Sequence, residues 1–417
     1  MKKAISVILA VILCATLFAA CQKKETPVAD VPGDSDGVSG ENATAANDDS
    51  WNDMTDEELY ELAKAEGGEI NVYTISSRMQ TTCDSFNEVY PGLNAVATNL
   101  DQTEATAKIR TEAESGNITA DVLQCKDGAG EIYYDFYPLG YLETFYPSDI
   151  CSHISPELLK YGMPFYTGLN FWYYNTDQYP DGAPVDNWWQ IIEKDDAGNN
   201  KFNIICANVG SDDTYITFYA NVILNADKFA EAYEELYGEP IEYTYDASKL
   251  PNIPENNAGY EFLYRLSQCK LTFISDGDDI CDAVQGSSVP TLGLSSAGKI
   301  TNRDDNGWPI AWVTKLAPFP NMMNTNYLYV VKGTDNPAGA RLFIRYLMGG
   351  ADGTGDGFKP FTKEGNWSIR DDVTNEKNPF DLAESGAVSG DMEQIHEIFL
   401  DVKDFWDYWL GTSPYTK

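Results

Sequence analysis

The sequence predicts an α/β protein in which helices cover both faces of mainly parallel sheets. Short apolar segments, such as residues 69–74 and 120–124, alternate with longer segments of helical periodicity, and this order favours a parallel sheet over a helical bundle. A chain of 417 residues is long enough for two or three domains with buried cores. Because 43% of the residues are hydrophobic and 13% are aromatic, the composition is that of folded domains and not of a disordered acidic chain.

The charge balance excludes several classes of partner. The chain has 28 Lys and Arg against 65 Asp and Glu, a formal net charge of −37. Such a surface repels the phosphates of nucleic acids, so no nucleic-acid partner is expected. The two histidines, His153 and His396, are too few for a multi-histidine metal centre, and we expect neither a metal nor an organic cofactor.

The N-terminal residues predict export and lipidation. Lys2 and Lys3 precede an uncharged run at residues 4–20, which is too short for a comfortable membrane span and fits a signal peptide ending at residue 20. Residues 17–21 resemble the lipobox of bacterial lipoproteins, although Phe18 replaces the more usual Leu. That resemblance implies acylation of Cys21, with palmitate as a typical chain. The alternative is an ordinary secretory signal in which Cys21 is incidental.

A flexible tether is predicted between this cysteine and the folded body. Residues 22–50 have small and polar side chains with almost no large apolar residue, so nothing there offsets the entropy of ordering. A lipid at the start of such a tether would hold the body on the outer face of the cytoplasmic membrane without spanning it. We therefore expect a location in the cell envelope, on the extracellular or periplasmic side.

Six cysteines remain in the exported body. An even number outside the cell permits disulfides, and no Cys-x-x-Cys pair indicates zinc. Cys269 and Cys281 are the first pair to test for a disulfide. Buried free thiols are expected in three apolar segments, at Cys83, Cys125 and Cys206.

Local signals place the elements of the body in order. Thr55 caps the first helix, Glu58 completes a capping box, and Gly67 ends the helix. Strands are then expected at residues 69–74, 93–98, 120–124, 203–207, 271–274, 289–294 and 327–331. Helices are expected near residues 76–90, 104–115, 214–224, 228–237, 260–269, 278–285, 337–348 and 392–410, and a further helix opens at residues 187–189. Residues 239–257 are rich in turn-formers and predict a surface loop.

Several segments, taken in their order along the chain, carry a family resemblance. They are residues 59–67, 70–74, 86–92, 120–122, 174–177, 185–189, 282–286, 332–341 and 365–373. Together they resemble the extracellular solute-binding proteins of ABC importers. Within that superfamily the chain is most similar to the subgroup that takes ferric iron, phosphorylated organic compounds, thiamine or polyamines.

The resemblance implies a two-lobed periplasmic-binding-protein fold of type II-like topology, with the lobes joined by crossover strands and closing on a ligand by a hinge. The first lobe is expected at residues 51–170 plus about 318–355, and the second at about 171–317 plus 356–417. It also implies a monomeric, non-catalytic protein that gives a small solute to an importer permease.

In such a fold the ligand lies beyond the carboxyl ends of the strands, near helix N-termini. Four loops are candidates, and their residues are Ser76, Ser77 and Arg78; Lys126, Asp127 and Gly128; Gly210, Ser211 and Asp212; and Ser295 and Ser296. Hydroxyl groups at helix N-termini suit an anionic oxygen. Each serine taken alone also fits an ordinary N-cap.

Two further side chains are candidate ligand contacts. The guanidinium of Arg78 is able to hold a carboxylate or phosphate bidentately, and the alternative is a surface arginine. Trp172 is able to stack on a sugar or heterocycle, whereas an aromatic cluster at a crossover strand more often belongs to the core. These residues predict an anionic or strongly polar solute, such as an organic phosphate or carboxylate.

The residues of the chain also leave other functions open. Ferric-iron-binding relatives have an adjacent tyrosine pair where this chain has Ser295 and Ser296, and two hydroxyls do not supply the charge that a trivalent ion needs. A secreted carboxylate-based glycosidase is a second alternative, although the sequence has no nucleophile elbow and no His-Glu-x-x-His. An adhesin or sensor domain on the same scaffold is a third, because a fold does not fix a function.

The lipobox resemblance gives the first testable prediction. Cys21→Ser should release the protein from membranes, because the acyl chains are its only expected anchor. Inhibition of the lipoprotein signal peptidase should leave a larger precursor on a gel. Cys14→Ser, inside the signal segment, is the matched control and should leave the membrane fraction unchanged. Unchanged fractionation of Cys21→Ser would refute the anchor.

Overall fold

Helices and strands alternate along the part of the chain that this computed structural model describes, residues 49–211 and 213–415. The helices are α1 Asp56–Glu66, α2 Met79–Val89, α3 Gln102–Ser115, α4 Ser148–Cys151, α5 Trp188–Ile191, α6 Asp213–Leu224, α7 Ala226–Tyr237, α8 Ala258–Ser267, α9 Gly277–Gln285, α10 Asn302–Asn306, α11 Pro337–Leu347 and α12 Met392–Gly411. The strands are β1 Glu69–Thr74, β2 Asn94–Asn99, β3 Val122–Lys126, β4 Leu142–Glu143, β5 Met163–Asn175, β6 Asn203–Cys206, β7 Leu271–Phe273, β8 Thr291–Ser296, β9 Ile310–Trp312, β10 Met323–Val331 and β11 Asn366–Ser368. Within these residues no helix is long and apolar enough to cross a membrane. The predicted signal peptide, Cys21, most of the tether and Asp212 lie outside them.

The local predictions are confirmed for most elements. The Thr55 side chain accepts the Glu58 backbone N–H at 3.2 Å, and Glu58 accepts the Thr55 N–H at 2.9 Å. Two boundaries near the predicted site differ from expectation. Helix α2 begins at Met79 and not at residue 76, and strand β8 continues to Ser296. Ser295 is therefore a strand residue and not part of a loop.

Two sheets share one long strand. The first sheet has the order β2-β1-β3-β10-β5, with β1, β2 and β3 parallel and β10 antiparallel to both of its neighbours. The second has the order β5-β8-β6-β7, with β6 parallel to β7 and β8 and with β5 antiparallel to β8. We call the first sheet with its helices the first lobe, and the second sheet with its helices the second lobe. Each lobe thus has the parallel core that the sequence predicts, and antiparallel strands lie between the two cores.

Strand β5 connects the lobes. Its N-terminal part, Met163 to Leu169, pairs with β10, and from Asn170 onward it pairs with β8 and β9. Its 13 residues extend about 43 Å at roughly 3.3 Å per residue. One continuous strand therefore fixes where the two lobes meet.

The apolar cores follow the same division. Phe86, Phe165 and Phe343 belong to one buried cluster of the first lobe, whereas Trp188 and Phe262 belong to the largest cluster of the second. The division of the chain into lobes at the expected residue numbers stays a prediction. Within the segment expected in the second lobe, three side chains pack in the cluster of Phe86, and they are Phe358, Phe361 and Ile369.

Trp172 is a core residue in this structure. Its side chain is completely buried in the second-lobe cluster and lies 6.1 Å from the ring of Trp188. The indole N–H of Trp188 donates to the Phe319 carbonyl at 2.8 Å, while the indole N–H of Trp172 has no partner among the described residues. Trp172 therefore presents no surface on which a solute could stack, because β5 runs through the interior at this point.

The cysteine expectations are met in part. Cys83, Cys125 and Cys206 are buried free thiols, as expected. Cys269 and Cys281, named above as the first pair to test, are not bonded to each other. Both are free thiols, and they lie in different clusters of the second lobe.

A buried hydrogen-bond network fixes the first candidate loop. The Thr74 hydroxyl donates to Gln124 Oε1 at 2.5 Å, and Gln124 Nε2 donates to Asn326 Oδ1 at 2.7 Å. The same Gln124 oxygen accepts the Ile75 N–H at 3.3 Å. The network joins β1, β3 and β10 at the end of β1, so it sets the direction in which the following loop leaves the sheet.

We predict that Gln124→Leu destabilises the protein. The leucine would leave Thr74, Ile75 and Asn326 without their buried partner, and an unpaired buried polar group costs about 1–3 kcal/mol. Denaturant unfolding should show a loss of at least about this size. Gln394→Leu, on the exposed face of α12, is the control and should change stability little. Equal stability of the two variants would contradict a structural role for the network.

Candidate functional site

A cavity of about 590 Å³ lies at the junction of the two lobes, within the size range of small-molecule sites. Its first-lobe wall comes from the ends of β1, β2 and β3, mainly from residues 100–103 and 126–129. Its second-lobe wall comes from the first turns of α6, the start of α12 and residues 389–390. Asn170 of β5 and residues 322–325 lie between the two walls. Both lobes and both connecting strands therefore contribute to one pocket.

Two buried amides at this cavity have unused hydrogen-bonding capacity. Asn170 is 6% exposed, and its side-chain amide has no hydrogen-bond partner among the described residues. Asn221 is 2% exposed; its Nδ2 donates to the Thr217 carbonyl at 3.0 Å, and its Oδ1 is buried without a partner in the described chain. Because unpaired buried polar groups are costly, a bound solute that pairs with them would be stabilised.

The charged groups of the cavity are mostly acidic. Asp101, Asp127, Glu131 and Asp213 line it together with a single cation, Lys126. Burial raises the pKa of Glu131, and the nearby Asp213 adds to the effect. A solute with a net negative charge would therefore meet unfavourable electrostatics at this wall.

Asp127 acts as the cap of a π-helical turn. Its two oxygens accept the backbone N–H groups of Ile132 and Tyr133, each at 3.0 Å. The carboxyl is almost completely buried, and this burial raises its pKa to about 7. Asp127 therefore holds the cavity wall in place, with its oxygens already engaged.

Apolar side chains cover the remaining wall of the cavity. Met322, Met323 and Met392 line it together with Phe218. Methionine side chains adapt their shape to a ligand because they are unbranched and polarisable. The cavity is thus suited to a small molecule with both polar and apolar parts.

Direct contacts join the lobes beside the cavity. Gly128 packs so closely on α6 that an added Cβ would lie 3.1 Å from the Thr217 side chain. The His396 Nδ1–H donates to the Ala129 carbonyl at 2.9 Å, and the imidazole stacks on Tyr134 at 4.9 Å. The loop after β3 is therefore in contact with both α6 and α12.

The structure brings only part of the predicted site together. Asp127 and Gly128 line the cavity, whereas Arg78 and the four serines at positions 76, 77, 295 and 296 are not among its lining residues. The side chain of Ser211 and all of Asp212 lie outside the described part, although their neighbours Asp213 and Thr214 line the cavity. The first and the last loop do not line this cavity, so ligand contact by their residues stays a prediction.

The serines have local roles. Ser76 is buried and its hydroxyl accepts the Arg78 N–H at 3.4 Å, while Ser77 is exposed. Ser295 is buried within β8 and donates to the Gly277 carbonyl at 3.4 Å. Ser296 is exposed at the end of the strand. β8 begins and ends two residues later than predicted, and Ser295 is therefore a buried strand residue and not part of a loop at the cleft.

The amides were not predicted from the sequence. Asn170 lies in an apolar crossover strand, and Asn221 lies within the apolar helix α6. An isolated asparagine in an otherwise apolar segment is the signal that marks both, because burying it without a partner is unfavourable. That signal does not tell a structural asparagine from a binding one.

One group of metal-ligand side chains lies close together in the described chain. It consists of His153, Asp371 and Asp372. His153 Nδ1 lies 3.1 Å from Asp371 Oδ1, and Asp372 is held by Arg370 at 2.7 Å. Asp371 is therefore engaged by the imidazole and Asp372 by the guanidinium of Arg370, and these surface contacts account for the group without a metal.

Asp127 gives a pH-dependent prediction. Its pKa of about 7 in the folded protein lies above the ordinary aspartate value of 3.8, so the folded chain keeps a proton that the unfolded chain has released. Stability should therefore fall as the pH rises from about 4 to about 7. Asp127→Asn should remove this slope in unfolding experiments, while retaining one acceptor for the helix N–H groups. Asp195→Asn is the control, since that exposed carboxyl has a lowered pKa and should not alter the slope. A slope identical in all three proteins would contradict the assignment.

Comparisons with known proteins agree with this architecture. Iron-bound HitA from Pseudomonas aeruginosa superposes with a TM-score of 0.58 at 12% identity, covering 81% of this chain and 98% of that one. The open unliganded AttC of Agrobacterium tumefaciens gives 0.54 at 12% identity, with 82% and 99% covered. The Atu4243-GABA receptor gives 0.55 at 15% identity, with 82% and 98% covered. No curated protein sequence matches the chain.

These structural similarities confirm the α/β, two-lobed periplasmic-binding-protein fold with crossover strands. The family model described as bacterial extracellular solute-binding protein matches residues 81–381. The matched region includes the first-lobe loop after β3, the crossover strand and the start of α6, which together form most of the cavity wall. The chain belongs to the family of bacterial extracellular solute-binding proteins.

Proposed function

We propose that the protein captures a small polar solute in the cavity between its lobes and delivers it to the permease of an ABC importer. One observation carries the proposal: both lobes line a cavity of about 590 Å³ whose wall contains the Asn170 amide and the Asn221 Oδ1, and neither has a hydrogen-bond partner among the described residues. The family and the structural neighbours are binding proteins. We accordingly assign no catalytic role to the cavity carboxylates.

The walls indicate what kind of solute fits. Amide and hydroxyl groups on one side offer hydrogen bonds, and the three methionines offer an apolar surface. The carboxylates disfavour a net negative charge within the cavity. The prediction of an anionic solute consequently depends on Arg78, which is not among the lining residues.

Ferric iron is less favoured by the residues present. Tyr327 is the only tyrosine on the cavity wall within the described residues, and burial raises its pKa far above the ordinary value. A phenolate ligand is therefore costly there. Ser295, which stands where iron-binding relatives have a tyrosine, is buried in β8.

A glycosidase is also less favoured. Asp101 caps α3 by accepting the Glu104 N–H at 2.7 Å, and Asp127 caps the π-helical turn. Two of the four cavity carboxylates are thus engaged with backbone donors, and a third, Glu131, lies 3.9 Å from Arg110. These contacts disfavour the pair of one acid and one nucleophile that a glycosidase needs.

We further propose that the folded body is monomeric and is held at the outer face of the cytoplasmic membrane by a lipid on Cys21. The extracellular family supports export. The segment between Cys21 and residue 49, where the described chain begins, has the small and polar composition expected of a tether.

The experiment is to identify what the protein retains. Protein purified gently from its own host should release a small molecule on denaturation, detected by mass spectrometry, and wild-type protein freed of it should rebind it. Binding should compact the two lobes, so the radius of gyration from small-angle scattering should fall, and the melting temperature should rise.

Matched variants locate that binding. Asn170→Ala and Asn221→Ala each remove an amide from the cavity and should weaken binding about tenfold, the size expected for a lost hydrogen bond to a buried group. Asn306→Ala, at an exposed position of α10, should bind as the wild type does. Retention of the solute at full affinity by the Asn170 and Asn221 variants would place the site elsewhere.

A further inference from the structure

Arg78 is exceptional among the arginines of this protein. All seven arginines lie in the described part of the chain, and the other six pair with carboxylates, namely Arg110, Arg265, Arg303, Arg341, Arg345 and Arg370. Arg78 has no ion pair and no side-chain hydrogen bond with any described residue. In a chain with 65 acidic and only 28 basic residues, a partly buried guanidinium without a carboxylate partner is unusual.

Lys363 is a second unpaired cation in the same place. Its side chain is partly buried, and its ammonium has no hydrogen bond or ion pair within the described residues. A Cβ added to Gly298 would lie 3.0 Å from Lys363 Nζ and 3.9 Å from Ser296 Oγ. The Lys363 ammonium and the exposed Ser296 hydroxyl therefore both border the Gly298 backbone, which has no side chain of its own.

Packing brings the start of α2 against the segment that leads to Lys363, because the Thr82 hydroxyl, one turn after Arg78, donates to the Gly357 carbonyl at 3.0 Å. The charge of Arg78 also acts on this lysine. Burial and then the nearby Arg78 and Lys299 lower the pKa of Lys363 to about 8, against the opposing effects of Asp278 and Asp305. Asp278 is itself bound to Lys299 at 2.6 Å. The nearby carboxylates therefore do not neutralise the positive charges of Arg78 and Lys363.

The backbone around these cations is well defined. Arg78 is the N-cap residue of α2, which has 11 residues, no side-chain cap and no acidic residue in its first turn. Gly365 packs so closely on the Ala297–Gly298 backbone that a Cβ there would lie 2.4 Å from the Gly298 nitrogen. Asn375 Nδ2 also donates to the Lys363 carbonyl at 2.7 Å. The turn that carries Lys363 is therefore fixed against the end of β8, and the positive end of α2 adds to the local field.

We propose that Arg78 and Lys363, with the hydroxyl of Ser296, form a binding site for an oxyanion, a carboxylate or a phosphate. An anion between the two cations would relieve their mutual repulsion. The guanidinium supplies a planar pair of donors, the ammonium a point charge, and the serine a neutral donor. This site is separate from the cavity lining, and solute capture in the cavity would stand without it.

The test uses inorganic phosphate as the probe and the full-length protein in detergent. Isothermal titration should show one saturable phosphate site per chain. Arg78→Gln and Lys363→Gln should each weaken it at least about tenfold, since each removes a charge-assisted contact. Arg303→Gln is the matched control, because that arginine already pairs with Asp304 and Glu364, and it should bind phosphate as the wild type does. Absence of saturable binding, or equal affinity in all four proteins, would overturn the proposal.

A proton readout separates this site from general charge attraction. Sulfate does not titrate near neutral pH, and its binding should raise the pKa of Lys363, which is about 8 without an anion. Binding between about pH 7.5 and 9 should therefore take up a proton, seen as a dependence of the measured heat on the buffer, and the affinity should fall as the pH rises. Lys363→Gln should abolish the proton uptake. Uptake that persists in this variant would overturn the role of Lys363.

The source of the anion is identified by measuring phosphate affinity in protein that retains its solute and in protein freed of it. Equal phosphate affinity in protein that retains its solute and in protein freed of it would identify a free oxyanion as the ligand. Phosphate binding only to the emptied protein would identify an anionic group of the solute itself. Both outcomes support the site, and phosphate binding to neither form would overturn it.

Discussion

The geometry of this protein depends on strand β5, which belongs to both sheets. Its backbone exchanges partners between Leu169, which pairs with Met323 of β10, and Asn170, which pairs with Ser296 of β8. A strand cannot bend sharply while both of its edges are hydrogen-bonded, so the change of partner fixes the junction of the two lobes. The cavity lies at this junction and includes Asn170. The oxyanion site includes Ser296, the backbone partner of that same asparagine.

Charge is distributed unevenly around the junction. Most cations of the described chain are used in ion pairs that hold elements together, as Arg345 does with Asp149 at 2.7 Å. The cavity carboxylates Asp101 and Asp127 accept backbone N–H groups as helix caps. They therefore stabilise the cavity wall, whether or not they also contact a solute. Arg78 is the one arginine of the described chain without an ion pair, and Lys363 is likewise unpaired in that part of the chain. A solute or anion at the junction therefore meets an acidic wall and a separate basic site.

Contacts of α6 and α12 beside the cavity would have to change if the two lobes opened and closed. Met392 at the start of α12 packs in a first-lobe cluster, while Ile395, one turn later, packs in the second. The hydrogen bond from His396 to Ala129 and the packing of Gly128 on Thr217 lie on the same side. Separation of the lobes would have to break these contacts while β5 stays paired.

The sequence by itself determined the local features: the Thr55 capping box, the order of helices and strands, the buried thiols, and the cavity position of Asp127 and Gly128. These follow from side-chain periodicity and capping chemistry within short segments. Only the tertiary structure decided that Trp172 is buried, that Ser295 remains within β8, and that Lys363 lies beside Arg78. The position of a strand end, the lining of a cavity and the charges next to a side chain all depend on which distant segments pair. Those pairings are decided by the packing and the conformational entropy of the whole chain. A local pattern therefore predicts which residues are able to bind, and the packing of the lobes decides which of them meet.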